Sequence, residues 1–338
     1  MDLSVLDLLP VSSGTTPSET LARSRELAQL ADRLGYRRIW YAEHHGLQSI
    51  ATTSPDLVIA HVAPFTERIR LGSGGVMLPN HVPLQVAERY RPRQAPHPGR
   101  LHLGIGRAAG TDPRTARALR SVSGEHTAAL MGELLAFDRG LFPDDHPFQK
   151  IEVVHQDVDL PPVWMLGSSG GSARLAGSIG AGYAFASHFS PAPAAPAVRA
   201  YREEFEPSAH FSDPKVILAL SVVCADTNDE AYDLSLSIQL HFRRIRKGET
   251  APIPSPEEAR AAGWTPRGTR GGPVGGLLVL GTPAEVRQEV EKRAAAVEAD
   301  EVMVMTVIHD PAKRLRSYEL LAEAFGLESK QTELTRFS

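Results

Sequence analysis

An acid and two imidazoles stand side by side at Glu43-His44-His45, directly after the apolar and aromatic run Arg38-Ile39-Trp40-Tyr41-Ala42. An imidazole titrates near neutrality, so either histidine can take or deliver a proton at ordinary pH, with Glu43 available to orient it. Adjacent residues of an extended chain point to opposite sides, so His44 and His45 do not chelate one metal by strand geometry. The chain has no His-x-His and no His-Glu-x-x-His, and His61, His81, His188 and His241 are scattered, so no metal site is expected. The plainer reading of either histidine is a satisfied structural residue.

A second constellation suits an anion. Leu166-Gly167-Ser168-Ser169-Gly170-Gly171-Ser172 runs from an apolar stretch into a helical one. Small residues at such a turn leave backbone N–H groups and hydroxyls free to surround a phosphate, where the helix dipole favours negative charge. It is neither a Walker loop nor a dinucleotide fingerprint. Arg107, in Gly104-Ile105-Gly106-Arg107-Ala108, is placed to pair a phosphate through its guanidinium. The alternatives are a capped turn and a surface ion pair.

The third feature is Gly72-Ser73-Gly74-Gly75, followed by Val76-Met77-Leu78-Pro79. Glycines in a strand remove side chains where something flat or another backbone comes close, and a bend at a barrel corner accounts for them equally well. No Gly-x-Ser-x-Gly elbow exists, and the lone Cys224 lies in an apolar run, so covalent hydrolysis, an internal disulfide and a cysteine-based zinc site are unsupported. Cys224 reads as a buried filler.

These groups fall at the ends of short strand-like runs that alternate with helical patterns. The strands expected are Leu3 to Leu9, Arg38 to Ala42, Ile69 to Leu78, Leu101 to Ile105, Pro162 to Leu166, Tyr183 to Ser187, Val216 to Ala225 and Val302 to Ile308. Helical spacing recurs between them, as in Leu27, Leu30, Ala31 and Leu34, and Thr282-Pro283-Ala284-Glu285 has the form of a capping box. The pattern predicts an α/β fold, a closed (β/α)8 TIM barrel with insertions after strand 4 and between strands 7 and 8, and one domain over residues 1–338. Catalytic groups of such barrels sit at the C-terminal strand ends. The insertion from Lys247 to Gly276, rich in proline and glycine, is a candidate lid.

The chain of 338 residues carries a formal net charge of −4 with pI near 6.4. That balance gives no basic surface for nucleic acid or an anionic membrane, so a small-molecule partner is expected. No apolar stretch approaches the ~20 residues of a membrane helix, and the protein is expected to be soluble and cytoplasmic.

In combination, Ala42-Glu43-His44-His45, the stretch from Leu71 to His81, His97-Pro98-Gly99-Arg100-Leu101, Gly104-Ile105-Gly106-Arg107 and Leu166-Gly167-Ser168-Ser169-Gly170 resemble, in this order, the bacterial luciferase-like monooxygenases. The resemblance spans nearly the full chain and is greatest to single-chain flavin monooxygenases, including members of aromatic-polyketide antibiotic biosynthesis. It implies a barrel that takes FMNH2 from a separate reductase, traps O2 as a flavin C4a-(hydro)peroxide and hydroxylates or epoxidises a hydrophobic organic substrate, as a homodimer. By position, Gly74 and Gly75 fall where the family has a cis non-proline peptide under the flavin ring, Arg107 and Ser168 on phosphate contacts, and His44 on the catalytic base. Ser169 and Gly170 extend the phosphate turn, and Glu43 or His45 would orient His44. Gly106 stands at the family's reactive cysteine, which argues against light emission, and Gly110 lies near an expected tyrosine. Arg91-Pro92-Arg93-Gln94-Ala95-Pro96 replaces an apolar helical segment, and its prolines are expected to end that helix early and weaken its packing. Two alternatives stay open: an F420-dependent oxidoreductase transferring hydride, and a flavin-binding protein without catalysis.

Overall fold

The computed structural model describes residues 1–154, 157–264 and 276–327. Eight parallel strands form a closed ring: β1 (Asp2–Asp7), β2 (Arg38–Tyr41), β3 (Arg70–Ser73), β5 (Leu101–Gly106), β6 (Val163–Gly167), β7 (Gly182–Phe185), β8 (Val216–Cys224) and β10 (Glu301–Met305), with β10 paired to both β8 and β1. This is the α/β barrel that the alternation of strands and helices predicts. The long strand expected from Ile69 to Leu78 is divided. β3 stops at Ser73, a cis peptide joins Gly74 to Gly75, β4 (Val76–Met77) resumes against β5, and a 3-10 turn covers Leu78–Asn80. A further strand, β9 (Leu278–Gly281), pairs with the last residues of β8 outside the ring. The sequence reading missed it because four residues give little periodicity.

Around the ring lie α1 (Pro17–Leu34), α2 (Pro55–Val62), α3 (Pro83–Gln94), α4 (Pro113–Ala118), α5 (Thr127–Arg139), α6 (Gly170–Ser178), α7 (Ala194–Glu203), α8 (Asn228–Arg246), α9 (Pro256–Ala261), α10 (Pro283–Ala295) and α11 (Pro311–Phe325). Both expected insertions are present, α4 and α5 after the fourth barrel strand, and α9 with β9 between the last two.

Alternation along each strand sorts the side chains. Leu3, Val5, Ile39, Leu71, Leu103, Met165 and Val304 face the helices, while Leu6, Trp40, Trp164, Ala184, Ile217 and Met303 fill the barrel interior. The two indoles explain several glycines. Trp40 pairs in register with Gly72, and Trp164 with Gly182. A Cβ on Gly72 would lie 2.6 Å from the Trp40 indole nitrogen, and one on Gly182 would lie 2.4 Å from the Trp164 ring. Small beside large keeps the interior close-packed.

The prolines after Arg91 do not end α3, which continues through Pro92 to Gln94. Proline removes one helical hydrogen bond there. Arg91 compensates: nearly fully buried, it bonds Asp138 Oδ1 through Nε at 3.1 Å and Nη2 at 3.0 Å, clamping α3 to the end of α5. The expected early stop and loose packing are therefore not seen.

Candidate active site

Glu43, His44 and His45 follow β2 at the C-terminal mouth, and the structure separates their roles. Glu43 has no exposed surface. Its Oε1 accepts from His45 Nε2 at 2.9 Å and Asn80 Nδ2 at 3.0 Å, and its Oε2 from the Met77 backbone N–H and His81 Nε2, both at 2.9 Å. Burial pushes its carboxyl up, but the bond and charge of His81 and the bonds of His45 and Asn80 outweigh it and hold the group below the ordinary carboxylate range. Glu43 thus ties the end of β2 to β4 and the turn beyond. It orients His45 and His81, not His44.

His44 is held instead by Gly110, whose carbonyl lies 3.1 Å from Nδ1. A carbonyl only accepts, so Nδ1 carries the proton. Burial lowers the His44 pKa, with the Gly110 carbonyl and Glu43 opposing. The neutral ring therefore leaves Nε2 with a bare lone pair. Gly110 has φ of +67°, and a Cβ there would lie 3.0 Å from the Glu43 carbonyl oxygen. Near the place where the resemblance expects a tyrosine, a left-handed glycine thus aims a carbonyl at His44.

His188, three residues beyond β7, reaches the same mouth from the strand opposite β2 in the ring. Its Nδ1 is buried without a partner, and Phe189 packs edge-on at 4.9 Å. Burial, with the nearby His44 adding to it, drives its pKa down to about 3. In the sequence His188 is one of several scattered histidines. The signal that singled out His44, a position just past a barrel strand, applies equally to it.

The anion constellation also assembles. Arg107 leaves the end of β5 and lies over the start of α6, where a Cβ on Gly171 would lie 2.5 Å from Nη1. No carboxylate pairs with it among the described residues, and its buried Nε–H has no acceptor. Gly167 ends β6, Ser168 links it to Ser169, and Ser169 occupies the N-cap of α6 without a side-chain cap. The first N–H groups of α6, beginning with Gly170, are thus unblocked beside a guanidinium, an arrangement that suits a phosphate. Ser172 Oγ bonds the Ser169 carbonyl at 2.9 Å, and a Cβ on Gly167 would lie 1.9 Å from that hydroxyl, so Gly167 keeps the turn tight.

Gly74 and Gly75 lie between the His44 and Arg107 strands. A Cβ on Gly74 would lie 2.8 Å from Leu6, and one on Gly75 2.8 Å from the Gly104 carbonyl oxygen. Packing within the barrel, against the Leu6 and Trp40 side chains at Gly74 and against the β5 backbone at Gly75, therefore accounts for both glycines, whatever lies above them.

The described part of the candidate lid is strapped down. Ile253 exchanges backbone bonds with Val11 and Ser13, and Gln48 N–H bonds the Thr250 carbonyl at 3.1 Å. The segment to Trp264 bridges the loops after β1 and β2 at the mouth. Residues 265–275 of that candidate lie outside the described residues. Before it, α8 lies between barrel and α9: Ile238 joins Leu6, Trp40 and Met305, while Leu236 and Leu240 meet Ala259.

Among the described residues no group of acids, histidines or cysteines has the geometry of a metal site, and no helix is long and apolar enough to cross a membrane. Cys224 is buried, and burial pushes its thiol up to about 12.

A family model described as luciferase-like monooxygenase matches residues 1–299. A luciferase-like monooxygenase of Escherichia coli (strain K12) is 38% identical over 321 residues, 94% of this chain and 95% of that protein. Among solved structures, apo-MsnO8 superposes with a TM-score of 0.87 at 38% identity, covering 96% of this chain and 98% of that one. The same fold, at 19% identity and a TM-score of 0.71 over 96% of this chain and 97% of that one, occurs in the oxygenating constituent of 3,6-diketocamphane monooxygenase from Pseudomonas putida in complex with FMN. It occurs again, at 14% identity and 0.66 over 97% and 98%, in an F420-dependent secondary alcohol dehydrogenase with an F420-acetone adduct.

Proposed function

The chain belongs to the luciferase-like monooxygenase family, and from that premise we propose that it is an FMN-dependent monooxygenase that uses FMNH2 from a separate reductase and O2 to hydroxylate or epoxidise a hydrophobic organic substrate. The observation that carries this reading is the pairing, at one mouth, of an anion cradle with a neutral imidazole whose Nε2 is bare. Arg107 and the N–H groups at the start of α6 would hold the phosphate, with Ser168 and Ser169 completing the turn. The backbone at Gly74 and Gly75 would lie beside the flavin ring. When bound, reduced FMN supplies the reactivity toward O2.

His44 takes or returns a proton through Nε2, since Nδ1–H is committed to Gly110. Glu43 and His45 support this end of the barrel from behind, and His188 offers a second neutral imidazole to a polar group of the substrate. With α8 packed on the barrel interior and the strap at Ile253 bound across the loops, the mouth would be shielded from water, which matters wherever a reactive oxygen species can be lost to solvent.

The test is a titration of the purified protein with FMN, reduced FMN, riboflavin and F420, together with Arg107→Ala. Reduced FMN is expected to bind, and Arg107→Ala to weaken it at least tenfold while leaving riboflavin unchanged. With a reductase and labelled O2, label is expected in the product. Binding of F420 but not FMN, with anaerobic turnover, overturns the reading in favour of hydride transfer. Equal FMN affinity in Arg107→Ala removes that residue from the site.

A further inference from the structure

At the opposite end of the barrel, where the strands begin, a cavity of about 440 Å³ opens between the starts of β2, β3, β8 and β10. Its size falls within the range of small-molecule sites, roughly 300–1,000 Å³. Nothing in the proposed reaction uses it.

Arg38 lies at its inner wall, nearly fully buried. Its Nη2 bonds Glu301 Oε2 at 2.8 Å, its Nη1 donates to His102 Nδ1 at 3.2 Å, and its Nε–H has no acceptor. The guanidinium sits 4.8 Å over the Trp164 ring, which Phe211 meets edge-on at 5.3 Å. The carboxylates nearby are committed. Glu301 also accepts from Ser4 and lies 3.4 Å from Arg37, Asp300 accepts from the Val216 N–H at 2.8 Å and lies 3.8 Å from Lys215, and Asp2 pairs with Arg37. Arg70, half-buried on the cavity wall, has no carboxylate partner among the described residues. His102 adds no charge, because burial, then Arg38, Arg70, Arg37 and His210, drive its pKa well below the usual value. Among the described residues, Arg37, Arg38, Arg70 and Lys215 thus stand against Asp2, Asp300 and Glu301, and Arg70 is the surplus.

We propose that this basal cavity binds a small organic monoanion, a carboxylate on a flat apolar body. The carboxylate would lie on Arg70, with the buried Arg38 guanidinium behind it, and the body against Trp164, Phe211 and Pro162. The single uncompensated cation fits one negative charge. A phosphate dianion would leave excess negative charge beside Glu301 and Asp300.

Benzoate and inorganic phosphate, titrated calorimetrically into the full-length protein, provide the test. Arg70→Ala orphans no carboxylate and relieves repulsion on Arg38, so the variant is expected to fold as the wild type does. Benzoate is expected to bind one-to-one, at least tenfold more weakly in Arg70→Ala, unchanged in Arg107→Ala, and more tightly than phosphate. Absence of saturable benzoate binding, equal affinity in Arg70→Ala, loss in Arg107→Ala, or preference for phosphate at the Arg70-dependent site each overturns the proposal. Loss in Arg107→Ala would put benzoate on the anion cradle at the mouth; the other outcomes leave flavin binding there untouched.

Discussion

Replacing Glu43 by glutamine separates a structural carboxylate from a catalytic one. The side-chain amide retains one oxygen, which can still accept from His45 and Asn80. Its NH2 must then occupy the place of Oε2, which accepts from the Met77 N–H and His81 Nε2 at 2.9 Å. A buried donor left facing another donor costs about 1–3 kcal/mol, and losing the charge weakens each remaining bond by about 1 kcal/mol. The expected loss is about 3–5 kcal/mol. At roughly 2.1 cal/mol/K of unfolding entropy per residue, a chain of 338 residues loses about 4–7 °C in Tm. His44 keeps its orientation from Gly110, so turnover per folded molecule is expected within about twofold of wild type.

The pH dependence has a definite sign. Because the folded Glu43 pKa lies below the ordinary value of 4.5, its contribution is complete above that value and is lost as pH falls through it toward the folded pKa. The Tm gap between wild type and Glu43→Gln should therefore narrow on acidification below about pH 5. Calorimetric unfolding and single-turnover product formation are the assays. An unchanged Tm with intact flavin binding and abolished product formation would refute the reasoning and return Glu43 to the chemistry.

Gly171→Ala is expected to displace the Arg107 guanidinium, since its Cβ would lie 2.5 Å from Nη1; FMN affinity should fall about tenfold while riboflavin affinity, measured in parallel, stays constant. Asp138→Ala strands a buried Arg91 and is expected to cost about 3–5 kcal/mol by denaturant unfolding, with partial recovery in Arg91→Met/Asp138→Leu; an exposed-pair cost below 1 kcal/mol would show that α3 is not clamped there. His188, with its folded pKa of about 3 below the unfolded value, makes stability fall as pH drops from about 6.5 toward that value; His188→Gln should flatten this slope by up to one proton, raise KM for substrate and leave flavin affinity unchanged.

The barrel was legible because its buried strands read as short apolar runs at the spacing of a βα repeat, and the anion turn because glycines and serines between strand and helix have few other uses. What sequence hid was pairing across space. Glu43 is adjacent to His44 in the chain yet bonded to His81, thirty-eight residues away. Gly110 carries no side chain to attract notice, and its role lies in a carbonyl direction set by a positive φ. Likewise, Arg91-Pro92 reads locally as a helix stop, but a buried ion pair to Asp138 overrides that local preference.

The order of the strands in space bears on the proposed cofactor more than any one residue does. His44 follows β2, Gly74 and Gly75 join β3 to β4, Arg107 follows β5, and Ser168 follows β6, so these groups occupy consecutive places around the ring. Neighbouring strands lie ~4.8 Å apart, and three such steps separate the imidazole from the serine turn by ~14 Å. Along that arc Gly74 and Gly75 interrupt the strand with bare backbone, and Gly104 and Gly106 on β5 let β3 and β4 pack close against it. A long, flat molecule with an anionic tail fits such an arc with its tail on β5 and β6 and its far edge toward His44. A compact ligand held by phosphate alone would gain nothing from the glycines or from the bare Nε2. The arc therefore predicts that affinity rises with both ends of the ligand: riboflavin and inorganic phosphate should each bind far more weakly than FMN, and a phosphate as tight as FMN would mean that the glycine path serves packing only.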